Sequence, residues 1–538
     1  MVGSITSVAA SGISGGRDDP LRWRAAFWMV WALLLILKIV LAGTLAPFGD
    51  EAWYWQESRA LDWSFSDLPL ATAALIRLGE TLFGHGVLAM RAPFLLFGAL
   101  TPLILVHTGT RLFGVRAGWF TGLIALALPL LGTLGMFALP DVPLTLCAAL
   151  GLDTLERAAR TGNRGAWCVL GLVLAAALLS HYRAAMLLLT GLAFLLLTVR
   201  GRQLWRDPGL WTAVAISLLG LLPLLIFNLE HGWVALSFQI LERNPWAFHA
   251  DGFAQPLEQA IVCTPLFYLL LLWAAWRCVQ RGDAGAPWDL LAVCSVVPWI
   301  AWLVLGFFAD DTRLRLHWPL PAYLPLLVAL PALLEPARAE RGLRGFALAA
   351  FVMLAAGSVL AFAYFSAAAV PGGAVSLARF KAFPEHWVGW NEVAVETGTL
   401  LQQERFREAT LVADNFMLAA ELDFAFASRR PVYALDHPIN TKHGRAPQLA
   451  LWRRDERALR DLAPGRLLVV IEPTARRERE RAAWLERVCS TLRAPQVVGR
   501  LELYEGRKRY LFVAADGLAD APRATSAAAA GDACRDFR

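Results

Sequence analysis

The sequence predicts an α-helical polytopic membrane domain followed by a small C-terminal α/β domain. Of its 538 residues, 57% are hydrophobic and 17% are charged, whereas soluble domains average about 45–50% and about 25%. Apolar runs of roughly 18 residues or more recur through the first two thirds of the chain, each long enough to cross a bilayer. Charged residues return in the last third, where the apolar runs are short.

Changes in composition set the predicted domain boundaries. Residues 1–22 form a Gly- and Ser-rich cytoplasmic N-terminus that is predicted to be disordered, and residues 23–368 form the membrane domain. Residues 369–515 form the α/β domain, and residues 516–538 form a tail predicted to be disordered. About 11–13 transmembrane helices are expected. The clearest spans cover residues 23–45, 88–110, 117–137, 142–156, 166–180, 184–199, 210–227, 257–276, 289–308, 317–334 and 345–368.

Arginines fall on every second loop between these spans. Because positively charged loops stay in the cytoplasm, the other loops are placed on the periplasmic face of a bacterial inner membrane. An odd number of spans exports the C-terminal domain to the same side. The net charge of +6 is then a topology signal, and no nucleic-acid partner is expected. The cytoplasmic arginines are Arg111, Arg116, Arg157, Arg160, Arg164, Arg200, Arg202, Arg206, Arg277, Arg281, Arg338, Arg341 and Arg344.

Strand-like and helix-like runs alternate in the exported part, which indicates a small α/β domain. Residues 410–414, 431–436 and 466–473 are predicted to be short buried strands, and residues 497–514 a final strand pair. Five of the seven cysteines lie in or beside apolar spans and are interpreted as core residues. The other two, Cys489 and Cys534, could pair in an oxidising compartment, but a bridge into the predicted disordered tail is not expected.

The segment that follows the first span carries the richest set of reactive side chains. Asp50 and Glu51 are adjacent carboxylates at a membrane surface, where such groups are costly to place without a use. A carboxylate held near a hydroxyl can act as a general base, and the neighbouring Tyr54 and Trp55 can stack on sugar rings. The composition is equally typical of an interfacial loop with solvated acids and an aromatic belt.

Two further aspartates lie in loops on the same side. Asp141 stands between two prolines in a stiff turn, which suits a fixed site but also a plain helix N-cap. Asp67 lies in the first loop, before an amphipathic stretch with Arg77 on its polar side. Such a stretch is expected to lie along the membrane interface, where lipid carriers arrive.

Cationic side chains on the periplasmic side are exceptions to the loop charge pattern. A phosphate-bearing lipid needs such partners, and arginine can bind phosphate through two nitrogens. Snorkelling to lipid headgroups is the alternative for part of the set. The candidates are Arg77, Arg91, Arg183, Arg243, Arg313, Arg315, His181 and His317.

The sequence does not carry motifs for nucleotides or metals. No Gly-Lys dipeptide occurs, which excludes a P-loop, and the nine histidines are scattered without metal-binding spacing. No cofactor is predicted, and a divalent metal is possible without being indicated. An activated lipid-linked donor fits better than nucleotide energy.

At these residues the sequence resembles the GT-C superfamily of membrane glycosyltransferases. The resemblance is to the family 39-like branch, which contains protein O-mannosyltransferases and the bacterial aminoarabinose transferase of lipid A. The matching segments keep the family order and reach across most of the chain. They are GDEAWYW (49–55), DWSFSDLPL (62–70), LIRLGETLFG (75–84), ALPDVPL (138–144), FNLEHGWVALSFQ (227–239), HWPLPAYLPLL (317–327) and VADNFMLAAELDF (412–424).

The resemblance implies a catalytic centre in the first periplasmic loop. It makes Asp50 the catalytic base or the carboxylate that orients the acceptor, and Glu51 and Asp141 the partners that position substrate. Substrate binding is expected of nearby polar, aromatic and cationic side chains. These are Asp67, Tyr54, Trp55, Arg77, His181, Tyr182, Arg183, Arg313, Arg315 and His317.

The resemblance also implies a reaction and its partners. Family members use a polyprenyl- or dolichyl-phosphate sugar and usually invert the anomeric centre. The expected acceptor is a glycolipid, lipid A or lipopolysaccharide core, with protein hydroxyls as the alternative. A transporter or flippase of lipid-linked sugars is a different class of function. Membrane lipids are further partners, and a monomer is expected.

Two positions depart from the family pattern. Leu68 follows Asp67 where members often have Lys or His, and His181 stands where many have Lys in a Ser-Lys-Tyr motif. Arg183 or His181 is therefore expected to contact the carrier phosphate.

Overall fold

The computed structural model describes residues 20–243, 246–282, 285–308, 316–335, 341–463, 465–519 and 534–537. Most of the predicted disordered N-terminus, and residues 520–533 of the predicted disordered tail, lie outside this part of the chain. The described structure consists of a helical membrane part and a C-terminal domain built on one sheet. The predicted fold class is confirmed.

Apolar helices dominate the membrane part. Two short helices, Gly49–Arg59 and Ala71–Phe83, follow the first long helix. The first packs against the helix Phe416–Ala425 of the C-terminal domain, and the second packs against the helix Val87–Phe113. The helices are α1 (Pro20–Thr44), α2 (Gly49–Arg59), α3 (Ala71–Phe83), α4 (Val87–Phe113), α5 (Val115–Ala127), α6 (Pro129–Gly132), α7 (Asp141–Thr161), α8 (Arg164–Ser180), α9 (Ala184–Leu197), α10 (Val199–Gln203), α11 (Pro208–Leu219), α12 (Leu222–Glu230), α13 (Val234–Ser237), α14 (Gln255–Cys263), α15 (Pro265–Arg281), α16 (Trp288–Gly306), α17 (Leu320–Leu334) and α18 (Arg341–Ala368).

Several predicted spans are shorter or more broken than the apolar runs indicate. Within the described residues, 5 helices are long and apolar enough to cross a membrane, or up to 7 if each bent pair is one span. The predicted span 257–276 is bent by 110° between α14 and α15, where Thr264 has φ +67° and Pro265 follows. The predicted span 117–137 ends as a helix at Ala127, because Pro129 restarts the chain as α6.

Close backbone packing fixes the turn that leads to α7. Gly98 lies in α4 directly against this turn, and a Cβ at that position would lie 2.1 Å from the carbonyl oxygen of Leu134. Lys38 of α1 donates to the same carbonyl at 3.0 Å. The turn is thereby held from two helices, and it places the start of α7 opposite the first loop.

The C-terminal domain contains a five-stranded sheet with strand order β2-β1-β3-β5-β4. Strand β1 pairs in parallel with β2 and β3, and β5 runs antiparallel to β3 and β4. All four predicted strand segments are confirmed. The elements are α19 (Pro371–Leu377), α20 (Trp390–Gln402), β1 (Thr410–Ala413), α21 (Phe416–Ala425), β2 (Val432–Ala434), α22 (Pro438–Lys442), α23 (Ala446–Leu451), α24 (Glu456–Leu462), β3 (Leu467–Ile471), α25 (Glu478–Thr491), β4 (Gln496–Leu503) and β5 (Lys508–Ala515).

The expectation of an unpaired Cys489 is wrong. Cys489 of α25 forms a disulfide with Cys534. Phe537 is buried in the same apolar cluster as Cys489, and Arg500 donates to the carbonyl of Asp536. The end of the predicted disordered tail therefore packs on the sheet domain, because a covalent bond and a buried aromatic ring hold it there.

Candidate active site

A cavity of about 260 Å³ lies where the first loop, the starts of α7 and α17, and the C-terminal domain meet. Its walls combine carboxylates, cations and aromatic rings from segments far apart in sequence. The residues expected from the sequence that line it are Asp50, Tyr54, Asp67, Asp141, His181, Arg183 and His317. Further lining residues are Phe48, Arg243, Trp318, His386, Trp387, Lys442, His443 and Arg445.

Asp50 is held by an arginine of the C-terminal domain. It lies in the first turn of α2, where the helix dipole stabilises a carboxylate. Arg445 donates from Nη2 to Oδ1 of Asp50 at 3.0 Å and from Nη1 to Oδ2 of Asp67. One guanidinium thus bridges two carboxylates of the first loop.

A third carboxyl group, Glu57, lies buried beside Asp67. Its Oε1 accepts a hydrogen bond from Nε1 of Trp53 at 2.8 Å. Burial, and next the charge of Asp67, raises the pKa of Glu57 well above its ordinary value. Burial also raises the pKa of Asp67, although the charge of Arg445 opposes this shift. A proton on Glu57 relieves the repulsion between these two buried carboxyl groups.

Asp141 forms the centre of a second cluster on the opposite wall. It lies one residue before the predicted span 142–156, and Nη2 of Arg183 donates to its Oδ1 at 2.5 Å. Nε2 of His317 lies 3.4 Å from its Oδ2. Burial alone would raise the pKa of Asp141, but the positive charges of Arg183 and His317 hold it well below its ordinary value. The carboxylate is therefore ionised at neutral pH.

Two arginines lie over the ring of Trp318 in this second cluster. The Cζ atom of Arg183 is 5.1 Å from the ring centroid, and that of Arg243 is 5.8 Å from it. Nε of Arg183 donates to Nε2 of His181 at 3.2 Å. Burial, and next the charge of Arg183, lowers the pKa of His181 well below its ordinary value, so the imidazole is neutral. The concentrated positive charge suits an anionic ligand such as phosphate.

Glu51 lies away from the cavity, in a fully buried ion pair. Arg91 donates to both its oxygens, from Nε at 2.8 Å and from Nη2 at 2.5 Å. The backbone N–H groups of Phe48 and Ala138 donate to it as well, at 2.9 and 2.6 Å. Glu51 thus joins the first loop to α4 and to the turn before α7. The interpretation of both first-loop acids as solvated is wrong for Glu51, because neither it nor Arg91 is exposed.

Three further expected site residues, all within the described part of the chain, do not line the cavity. Trp55 is buried against Phe424 and His85, and Arg77 is exposed on α3. Tyr182 packs on the apolar cluster around Phe227. Arg313 and Arg315 lie outside the described residues.

Sequence reasoning missed the C-terminal contribution to the site. Arg445 occurs in a polar segment with no motif of its own, and only the folded chain brings it to Asp50. Lys442 and His443 belong to the same segment. The sequence signal for this contribution was the cluster of Lys442, His443 and Arg445 beside a short helix. Such clusters of cations are also common on exposed surfaces.

A larger, apolar cavity of about 480 Å³ lies between α7, α8, α9, α11, α16 and α17. Leucine and other apolar side chains make up most of its wall, and Arg183 and Trp318 belong to its lining as well as to that of the polar cavity. The two cavities therefore meet at the arginine that contacts Asp141. Among the residues that the structure describes, no group of three or more His, Cys, Asp and Glu side chains is arranged to hold a metal ion.

Comparison with known proteins gives one matching family model and one related sequence. Residues 67–227 match the family model described as dolichyl-phosphate-mannose-protein mannosyltransferase. A lipid A galacturonosyltransferase, RgtD, from Rhizobium johnstonii is 27% identical over 289 residues. The alignment covers 51% of this chain and 58% of that relative, so the chain matches less than two thirds of the relative's length.

Solved structures share the fold over nearly the whole chain. ArnT from Cupriavidus metallidurans bound to undecaprenyl phosphate superposes with a TM-score of 0.64 at 19% identity, covering 92% of this chain and 98% of ArnT. Its apo state gives the same TM-score at 18% identity. The matching family model, the related sequence and the shared fold agree with the motifs by which the sequence resembles the family 39-like branch of the GT-C superfamily.

Proposed function

We propose that this protein transfers a sugar from a polyprenyl-phosphate carrier to a hydroxyl of lipid A or lipopolysaccharide core, on the periplasmic face of the inner membrane. The observation that carries the proposal is the junction of the two cavities at Arg183 and Trp318. An apolar cavity, a cationic site and a carboxylate follow one another there. This is the order needed to bind the prenyl chain, the phosphate and the sugar of a lipid-linked donor.

The apolar cavity accommodates the prenyl chain of the donor. Its wall is formed by membrane helices, so an isoprenoid enters it without losing apolar surroundings. At its polar end the carrier phosphate meets the guanidinium groups of Arg183 and Arg243. The sugar then extends into the polar cavity, towards Asp50.

The reaction is a displacement at the anomeric carbon. The acceptor hydroxyl oxygen forms a bond to this carbon while the bond to the phosphate oxygen breaks, and the prenyl phosphate leaves with the electron pair. Asp50 takes the hydroxyl proton, and the arginines stabilise the charge on the leaving phosphate. Attack opposite the leaving group inverts the anomeric centre.

The distribution of charge supports a periplasmic active site. Asp141 begins α7 at the cavity, whereas Arg157 and Arg160 lie at the other end of this helix. Arg111 and Arg200 form ion pairs with Asp153 and Asp289 at the same far end of the bundle. Because arginine-rich ends face the cytoplasm, the cavity lies on the opposite side.

Two matches bear on the choice of acceptor. The relative RgtD is named for lipid A, whereas the matching family model is named for protein mannosylation. Lipid A is favoured, because the related sequence aligns beyond the 161 residues of the family match. The polar side chains gather at one end of the bundle, which favours an enzyme over a transporter with a midplane site.

The first test compares a deletion strain with one complemented by the natural chain or by Asp50→Asn. Mass spectrometry of lipid A, core and envelope proteins is expected to show one sugar missing from lipid A or core in the deletion strain. Asp50→Asn is expected to lower transfer by about 10²–10⁴-fold in membranes supplied with prenyl-phosphate sugars.

Asp62→Asn is the matched control, because Asp62 lies in the same loop outside the cavity. It is expected to transfer normally. If the sugar is missing only from envelope proteins, the acceptor is a protein hydroxyl and not lipid A or core. Unchanged glycosylation in the Asp50→Asn strain would contradict the proposed enzyme.

A further inference from the structure

Arg445 reaches the first loop from the C-terminal domain, 395 residues beyond Asp50. We propose that Arg445 is a positioning residue, which orients Asp50 for the reaction and makes the C-terminal domain an integral part of the active centre. The inference rests on the proposed function, because it assigns a role to a residue next to the carboxylate that takes the proton.

The guanidinium of Arg445 is buried among three aromatic rings. Its Cζ atom lies 5.1–5.2 Å from the ring centroids of Trp53, Tyr54 and Phe416, and only 3% of the residue is exposed. Its two Nη atoms are directed to Asp50 and Asp67. A cation held in this way fixes the direction of both carboxylates, because rotation of either would leave a buried charge unpaired.

The segment that carries Arg445 is fastened to the first loop. Gly444 has φ +72°, and a Cβ there would lie 2.4 Å from the Phe238 ring, so glycine is required to turn the chain into the site. Oγ of Ser66 donates to the carbonyl of Gly444 at 2.5 Å, and the backbone N–H of Ser66 donates to Oε1 of Gln448 at 3.0 Å. The segment that carries the arginine is therefore held on both sides of Arg445 by Ser66, the residue before Asp67.

Positioning makes a kinetic prediction that differs from substrate binding. Arg445 does not line the apolar cavity. Its substitution is therefore expected to change the donor KM by no more than about twofold. Misorientation of Asp50 lowers kcat instead, and a displacement of about 1 Å at a reacting group costs on the order of 10²-fold. Lysine keeps the charge but cannot bind both carboxylates in the same fork.

The experiment measures kcat and donor KM of the full-length protein with a prenyl-phosphate-linked sugar. Arg445→Gln is expected to lower kcat about 10²-fold, and Arg445→Lys is expected to recover part of this loss. Arg454→Gln is the matched control, because Arg454 also belongs to the C-terminal domain and pairs with the buried Asp423, outside the cavity. The double variant Arg445→Gln with Asp50→Asn is expected to have the same kcat as Asp50→Asn alone, because Arg445 acts through Asp50.

Several outcomes would overturn the inference. They are an effect confined to donor KM, multiplicative loss in the double variant, or a kcat for Arg445→Gln equal to that of Arg454→Gln. If both Arg445 variants fail to fold, Ser66→Ala serves as the test, because it loosens the segment without removing the cation. Its kcat is then expected to fall about fivefold, and an unchanged kcat would again overturn the inference.

Failure of the inference can be distinguished from failure of the proposed function. A natural chain without transfer from any prenyl-phosphate sugar would remove the function itself. An inactive Asp50→Asn protein beside a fully active Arg445→Gln protein would remove only the positioning role.

Discussion

The two walls of the polar cavity use arginine–aspartate pairs in different ways. On the membrane wall, Arg183 pairs with Asp141, and their side chains are 10% and 19% exposed. On the C-terminal wall, Arg445 pairs with Asp67, and each side chain is 4% exposed. The membrane pair borders the apolar cavity, whereas the C-terminal pair is surrounded by aromatic rings.

The difference indicates that the two arginines have different roles. Arg183 borders the apolar cavity, and its pair is less deeply buried than that of Arg445. It is therefore expected to exchange the carboxylate for a phosphate oxygen more readily, since His317 still faces Asp141. Arg445 is not expected to exchange its partner, since moving away from Asp67 would leave a buried carboxylate unpaired. An exchangeable cation suits a ligand that arrives and leaves in each cycle, and a fixed cation suits a geometry that must persist.

The largest expected effect is on the stability of the fold, through the buried ion pair of Glu51 and Arg91. Glu51→Gln leaves Arg91 buried without a counter-charge, which costs about 3–5 kcal/mol of the free energy of unfolding. The thermal unfolding of the purified protein in detergent measures it.

The control for this prediction is Glu505→Gln, because the ion pair of Glu505 with Arg379 is exposed. Loss of such a pair is expected to cost less than about 1 kcal/mol. Equal unfolding temperatures for the two variants would show that the first loop does not depend on the buried pair.

The next effect distinguishes the two walls by kinetics. Arg183→Gln removes the cation at the junction of the cavities and is expected to weaken donor binding by about 2–5 kcal/mol. The measurements are donor KM, which is expected to rise, and kcat, which is expected to fall as well because the same arginine stabilises the leaving phosphate. Arg445→Gln is expected to change kcat alone. Arg157→Gln, at the other end of α7, is the control, with both constants unchanged. A normal donor KM for Arg183→Gln would remove the proposed phosphate site.

Much of the fold and one half of the site could be predicted from the sequence. Apolar run length and alternating arginine loops indicate the membrane part, and the strand runs of the C-terminal domain are local signals. Asp50 and Asp141 could be singled out by the resemblance of their segments to the GT-C superfamily, because on composition alone Asp50 is equally typical of an interfacial loop and Asp141 of a helix N-cap. These features depend on neighbours in sequence.

The parts that were missed depend on contacts across the chain. Glu51 and Asp50 are adjacent in sequence, yet one faces Arg91 in the core and the other Arg445 at the cavity. The direction of each side chain on α2 decides this, and composition does not contain it. The disulfide of Cys489 likewise required the end of the chain to pack on the sheet.

The pH dependence of stability is expected to arise in the C-terminal domain. Burial raises the pKa of Asp414, which follows β1, to about 7, against about 3.9 in the unfolded chain. The folded state therefore binds the proton more tightly, and this contribution to stability is lost as the pH rises from about 4 to 7. The slope is up to about 1.4 kcal/mol per pH unit. The lowered pKa of His181 in the membrane wall acts in the opposite direction below about pH 6.5, because the unfolded chain binds this proton more tightly than the folded chain. The lowered pKa of Asp141 contributes mainly below about pH 4.

Asp414→Asn is expected to flatten this dependence. Hydrogen exchange of the amides in β1 and β3, compared at pH 5 and pH 7.5, measures it, after correction for intrinsic rates. Asp516→Asn is the control, since Asp516 is exposed at the end of the sheet. Protection that falls with pH as steeply in Asp414→Asn as in the natural chain would assign the pH dependence to another group.

The smallest expected effect concerns the lipid side of the membrane wall. Gly191 of α9 lines the apolar cavity, and a Cβ added there meets nothing within 4 Å. Gly191→Leu therefore fills space that the prenyl chain is proposed to occupy, without straining the helix. Donor KM is expected to rise up to about tenfold, or about 1.4 kcal/mol, for a long-chain donor, and less for a short-chain analogue that does not reach α9. Gly345→Leu on α18, where a Cβ also meets nothing within 4 Å, is expected to change neither. Equal effects on long and short donors would place the prenyl chain elsewhere and leave Arg183 as a phosphate contact without the cavity behind it.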